Sequence, residues 1–159
     1  LQKLITEYLI KIENSPLSQK EHQVVQNMFY SIGDIERIGD HVENIAELAN
    51  IYIKDYLMFS EVARKELTDA IDLAIETVEN AVNARKELNL SYVEKVMNNE
   101  EVMDRTEDDL RAQHISRLSQ GICETQTGII FLDVLSNLER ISDHSLNIAY
   151  YVKDELVAK

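Results

Sequence analysis

An eleven-residue stretch, ERIGDHVENIA at positions 36–46, recurs 103 residues later as ERISDHSLNIA at positions 139–149, with eight of the eleven residues identical. A repeat at that interval constrains the chain to two related structural units. The stretch also constrains what those units are. Ile35, Ile38, Val42, Ile45 and Ala49 recur at three- and four-residue steps, and Leu138, Ile141, Ile148 and Val152 do so in the second copy, with Ser145 interrupting. Such spacing draws one apolar stripe along a helix, so both copies read as helices laid against a neighbour.

The rest of the chain carries the same periodicity, and its interruptions divide it into five helices. A first segment, about 1–13, ends at NSPLS, where Pro16 cannot continue a helix. Ser18 and Glu21 form a capping-box pattern that starts a second helix running to about Ile53. Ser60 is placed to cap a third, whose apolar stripe is Val62, Leu67, Ile71, Ile75, Val78 and Val82. Ser91 and Glu94 suggest another capping box before a fourth, which Gly121 stops. The fifth spans about 124–156. The expected fold is all-α: antiparallel helical bundles in two related units. The first, residues 1–56, has only the end of one helix plus a motif helix; the second, residues 57–159, is a complete three-helix bundle.

Charge narrows the function. With 29 acidic against 16 basic residues, the net charge is −13. That argues against DNA or RNA as a partner, because phosphate recognition needs a basic face. Metal ions or a basic protein patch suit it better. The single Cys123 excludes an internal disulfide. No apolar run approaches the length of a membrane span. The chain opens on LQKLITEYLIKI, without a cap, as if inside a longer helix, so membrane segments elsewhere in a longer protein are compatible with it.

Within each repeat a Glu and an Asp stand four residues apart: Glu36 with Asp40, and Glu139 with Asp143. Side chains at that spacing lie one above the other, and like charges there weaken a helix. EEVMD on the fourth helix adds a third such pair, Glu100 and Asp104, bordering the face that carries Val96, Met103 and Leu110. Carboxylates near a packed face are costly unless paired or coordinated. Two pairs on adjacent helices could supply four oxygen donors to one hard metal ion. His41, His114 and His144 could add outer or additional ligands, although a polar seam or surface role is the simpler reading of each.

The doubled E-R-I-x-D motif resembles the PhoU family, proteins built from two three-helix bundles. Helices three to five resemble a complete PhoU repeat, including NNEEVMDRTEDDLRAQH; the first two resemble the latter part of another. The run RAQHISRLSQGIC…GIIFLDVLSNLERISDHSLNIA looks most like the cytosolic PhoU-like tail of sodium/phosphate cotransporter-family membrane proteins. The resemblance implies a non-enzymatic regulator of phosphate uptake at the cytoplasmic face of the membrane. Its partner would be transport machinery, either its own transmembrane domain or a separate transporter. It further implies a metal cluster, most often iron, on Glu100, Asp104, Glu139 and Asp143, with Glu36 and Asp40 serving a first site whose partner pair would precede Leu1.

Two other classes compete. A di-iron oxidase bundle needs Glu-x-x-His, but Gln19, Ile38, Arg111 and Ile141 stand three before the four histidines. Gly-x-Ser-x-Gly and Gly-rich phosphate loops are absent too. A metal-free interaction bundle, with the acids as a solvated face, is the main alternative, and a free-standing regulator of phosphate signalling is another. The incomplete first unit leaves apolar surface on the second helix, which predicts homo-oligomerisation.

Overall fold

The computed structural model describes residues 1–157, and all five of their regular elements are helices: α1 (Gln2–Glu13), α2 (Gln19–Lys54), α3 (Glu61–Glu87), α4 (Leu90–Ser119) and α5 (Thr125–Val157). The helix starts follow local chemistry. Ser18 and Glu21 make the reciprocal capping box at the head of α2. The Ser60 hydroxyl accepts the Ala63 N–H at the head of α3. At α4 the cap differs from expectation: Asn89 accepts the Ser91 N–H at 2.9 Å, so the helix begins one residue before Ser91. A carboxamide on so short a side chain satisfies a free N–H directly and pre-empts the Ser91–Glu94 box. After α4, Gly121 takes φ 69°, the left-handed turn that a glycine adopts without strain.

Helices α3, α4 and α5 pack pairwise against one another, α2 packs on α5, and α1 packs on α2. The long α5 is therefore the common wall, and its residues Phe131, Leu135, Leu138, Ile141, Ser145, Ile148 and Val152 are buried.

The buried stripes of α2 and α3 are not the ones bulk hydrophobicity marks. On α3 the buried residues Ala63, Leu67, Ala70, Ala74, Thr77, Ala81 and Ala84 recur in four- and three-residue steps, with Asn80 buried beside Ala81. Val62, Ile75 and Val82 are each more than half exposed. Small side chains at a heptad seam let helix axes approach closely, so alanine outcompetes valine for the interior face. On α2 the inward stripe is Asn27, Ser31, Asp34, Ile38, His41, Ile45, Leu48 and Tyr52, while Ile35 and Val42 face outward. Ile71 and Val78 of α3 then line, with Ile38, Ile45, Leu138 and Ile141, an apolar groove of about 350 Å³ where α2, α3 and α5 meet.

Candidate metal centre

The seam of α4 runs Val93, Val96, Glu100, Met103, Glu107, Leu110, His114, again in three- and four-residue steps. Two carboxylates and an imidazole thus occupy positions where a bundle normally places apolar residues. The Glu107 carboxylate is neutralised locally: Arg111 donates to it through Nε at 2.8 Å and also reaches the Ser136 hydroxyl at 2.7 Å. That bond to Glu107 raises the Arg111 pKa further.

Among the described residues no basic side chain is paired with Glu100 in this way. One carboxylate oxygen each from Glu100, Asp104 and Asp143 lies within 4.8 Å of the other two. Glu100 and Asp143 are half-buried and Asp104 is exposed, so the cluster opens to solvent on one side. Burial first, and then Asp104 and Asp143, raise the Glu100 pKa. Burial and the Asp143 charge do the same to Asp104. Glu139 stands outside this converging set, one turn before Asp143, with Arg140 at 3.6 Å. Its carboxyl is nonetheless pushed up to about 7, chiefly by burial and then by Asp143, against the opposing pull of Arg140. Crowded carboxylates of this kind are relieved either by taking up protons or by taking up a cation. An all-oxygen set suits a hard or borderline ion rather than a soft one.

The first motif copy is placed differently. Glu36 and Asp40 are exposed on α2, and Glu36 accepts a hydrogen bond from Gln2 at 2.5 Å. Neither belongs to a converging acidic group among the described residues.

The histidines and asparagines of the repeated motif have another task. His144 donates from Nδ1 to Asp34 at 2.8 Å, and Asn147 reaches the same carboxylate oxygen at 3.2 Å. Shifted by 103 residues, the arrangement recurs: His41 and Asn44 reach the amide oxygen of Asn137 at 2.9 and 3.2 Å. The two imidazoles stack between these pairs, with ring centroids 5.7 Å apart. A pseudo-twofold axis therefore passes between α2 and α5, and the repeated His and Asn of each copy clasp the other copy. Tyr151 adds a bond from its hydroxyl to Asp34 at 2.9 Å; its pKa is pushed up to about 12 by burial and by that carboxylate. Asp34 is absent from the motif as read from the sequence, because it precedes the eleven residues by two. Extending the repeat to its counterpart Asn137 is the signal that finds it.

These features define a class: a helical bundle of two related units, joined through reciprocal His–Asn clasps, with a carboxylate cluster in the seam of the second. The PhoU domain model matches residues 1–49 and 67–152, and the chain belongs to that family. It is 25% identical over 141 residues to "Phosphate-specific transport system accessory protein PhoU homolog 1" of Thermotoga maritima, covering 89% of this chain and 60% of the relative. A Deinococcus radiodurans relative described as "Uncharacterized protein" is 26% identical over 138 residues, covering 84% of this chain and 48% of the relative. The chain thus spans between about half and three fifths of the curated relatives it matches. The crystal structure of PhoU from Pseudomonas aeruginosa shares the fold, with a TM-score of 0.92 at 19% identity over 99% of this chain and 75% of that one. None of the described helices is long and apolar enough to cross a membrane.

Proposed function

We propose that this chain is a PhoU-type, non-enzymatic regulator of phosphate uptake that acts on membrane transport machinery from the cytoplasmic face. The observation that carries its site is the convergence of Glu100, Asp104 and Asp143, a set that fits a hard cation. In this reading those three carboxylates hold a metal ion, iron by analogy with the family, and Glu139 is positioned one turn away as a fourth oxygen donor. The metal would supply positive charge that locks α4 to α5. Glu36 and Asp40 lie on the exposed face of α2 and would form a second site only with donors from another segment or protein.

Of the two forms such a regulator takes, a free-standing protein is favoured over the tail of a sodium/phosphate cotransporter. The Thermotoga relative is described as an accessory protein of a transport system. The sequence preceding Leu1 in the full gene product separates the two, since transmembrane segments there would establish the tail. The regulatory reading is tested by radiolabelled phosphate uptake in cells with and without the protein. Loss of restraint on uptake is expected, and unchanged uptake would sink the reading.

A metal-free interaction bundle is the second reading, favoured by the apolar groove between α2, α3 and α5, which Val42 helps to line, and by the exposed Ile35. Self-association through this face accompanies either reading, and a monomer in light scattering would count against it. Melting with and without chelator distinguishes the readings, because only a coordinated cluster is stabilised by its ion.

A further inference from the structure

Two contacts fix the register of α4 against α5: Asp104 meets Asp143 in the carboxylate cluster, and Arg111 donates to the Ser136 hydroxyl at 2.7 Å. Numbers rise along α4 as they fall along α5, so the two helices run antiparallel and the seam reads in rungs. Glu107 and Glu139 stand between those two rungs. Their charges are felt together: burial first and then Asp143 raise the Glu139 pKa, with Asp104 and Glu107 adding to them against Arg140. The acidic ladder therefore continues one turn past the three converging carboxylates. Glu107 is three residues beyond Asp104, about 4.5 Å along the helix.

What ends the ladder is a cation of the protein's own. Long side chains lean toward the N-terminal end of their helix, which carries the Arg111 guanidinium back over the turn of Glu107. There Nε and Nη2 both donate to one Glu107 oxygen, and Nη2 also donates to Ser136. The fork is thus held by both helices, whereas an exposed pair is held by one. Glu107 is buried and Arg111 half-buried. The neighbouring cations stay at the surface: Arg105 pairs with Glu101, and the Arg140 side chain is exposed beside Glu139.

We propose that Arg111 is a tethered counter-ion that limits the centre to a single metal ion, an inference that rests on the reading of Glu100, Asp104 and Asp143 as ligands. A second hard ion beside the first would need further carboxylate oxygens. Those one turn on belong to Glu107 and Glu139. Arg111 already holds the Glu107 oxygen and keeps a permanent positive charge beside it. A second cation there meets repulsion and lacks a donor. Removing the charge at position 111 lifts both obstacles. An ordinary ion pair between residues four apart would affect helix stability alone.

Mn²⁺ is the probe that tests this, because the paramagnetic resonance of the free ion is lost on binding and so counts the ions bound. The parent chain should bind one ion. Arg111→Met should bind two, and Arg111→Lys should return to one, since it restores the charge without the fork. Arg111→Met with Glu107→Gln should also bind one, because a donor to the second ion is gone. Arg111→Gln keeps a donor for Glu107 without the charge, should bind two, and serves if Arg111→Met fails to fold. One ion in the parent and still one in the uncharged variants would overturn the role of Arg111 and leave the metal centre standing. Two ions in the parent would overturn it as well. No ion in any of these proteins would sink the metal reading itself, and this inference with it.

Discussion

His144 holds Asp34 across the α2–α5 interface at 2.8 Å, while its counterpart His41 holds Asn137 at 2.9 Å. Both oxygens can only accept at these contacts, so both histidines carry their proton on Nδ1. The two ends of the clasp differ by one atom type, a carboxylate at one and a carboxamide at the other. Asp34→Ala removes the acceptor shared by His144, Asn147 and Tyr151, leaving three donors without it, and should cost about 3 kcal/mol in urea unfolding. Asp34→Asn copies the other end and should cost only about 1 kcal/mol. Equal losses would show that acceptor geometry is not what matters.

The crowded carboxylates predict a pH dependence. Glu139 has a native pKa of about 7 against an ordinary value of 4.5. Between those values the native state holds a proton that the unfolded chain has released. The associated stability is fully present below about 4.5 and lost as pH rises through about 7. Glu100 and Asp104, shifted in the same direction, add to it. Chelated protein should therefore melt higher at about pH 6 than at about pH 8, by on the order of 1 kcal/mol after solvent screening. Glu139→Gln should flatten that slope in calorimetry.

Adding iron or another hard cation should reverse the picture, because the ion replaces the protons. Saturating metal at about 100 times its Kd should stabilise the protein by about 2.7 kcal/mol, and protons should be released on binding. Asp104→Ala with Asp143→Ala should abolish both effects in calorimetry and lower bound metal by elemental analysis. The matching change in the first copy, Glu36→Ala with Asp40→Ala, should leave them unaltered, because those acids sit exposed on α2.

Arg85 on α3 donates to both oxygens of the buried Glu155 on α5, at 2.6 and 2.5 Å. Arg85→Ala leaves that charge unpaired in the interior and should cost about 3 kcal/mol by denaturant unfolding. Arg85→Met combined with Glu155→Leu should recover most of the loss, since apolar residues of similar size replace buried ion pairs well. Failure of the double variant to recover would assign the cost to packing instead.

The number, order and approximate limits of the helices were legible in the sequence because punctuation is sharp: Pro16, Ser18, Ser60 and Gly121 each act through local chemistry. The faces were less legible. A stripe chosen by bulk favours Val42 over His41 and Val62 over Ala63. The interior prefers a polar group that finds its partner, and a small one that lets helices close. The acid pair on α4 and Asp143 were visible from spacing and do meet in space. That Asp34 organises the clasp depends on its contacts with His144, Asn147 and Tyr151, 110 or more residues away on a different helix. No local pattern encodes these.

Asp143 and His144 are consecutive on α5, yet one belongs to the carboxylate cluster with α4 and the other to the clasp with α2. Successive helical residues point about 100° apart, so the two contacts share a single rigid lever arm. Any twist of α5 that tightens or loosens one necessarily swings the other through the same angle. In mechanical terms α5 is an axle between the two halves of the molecule, and a change in ionic charge at one rim is felt as torque at the opposite rim.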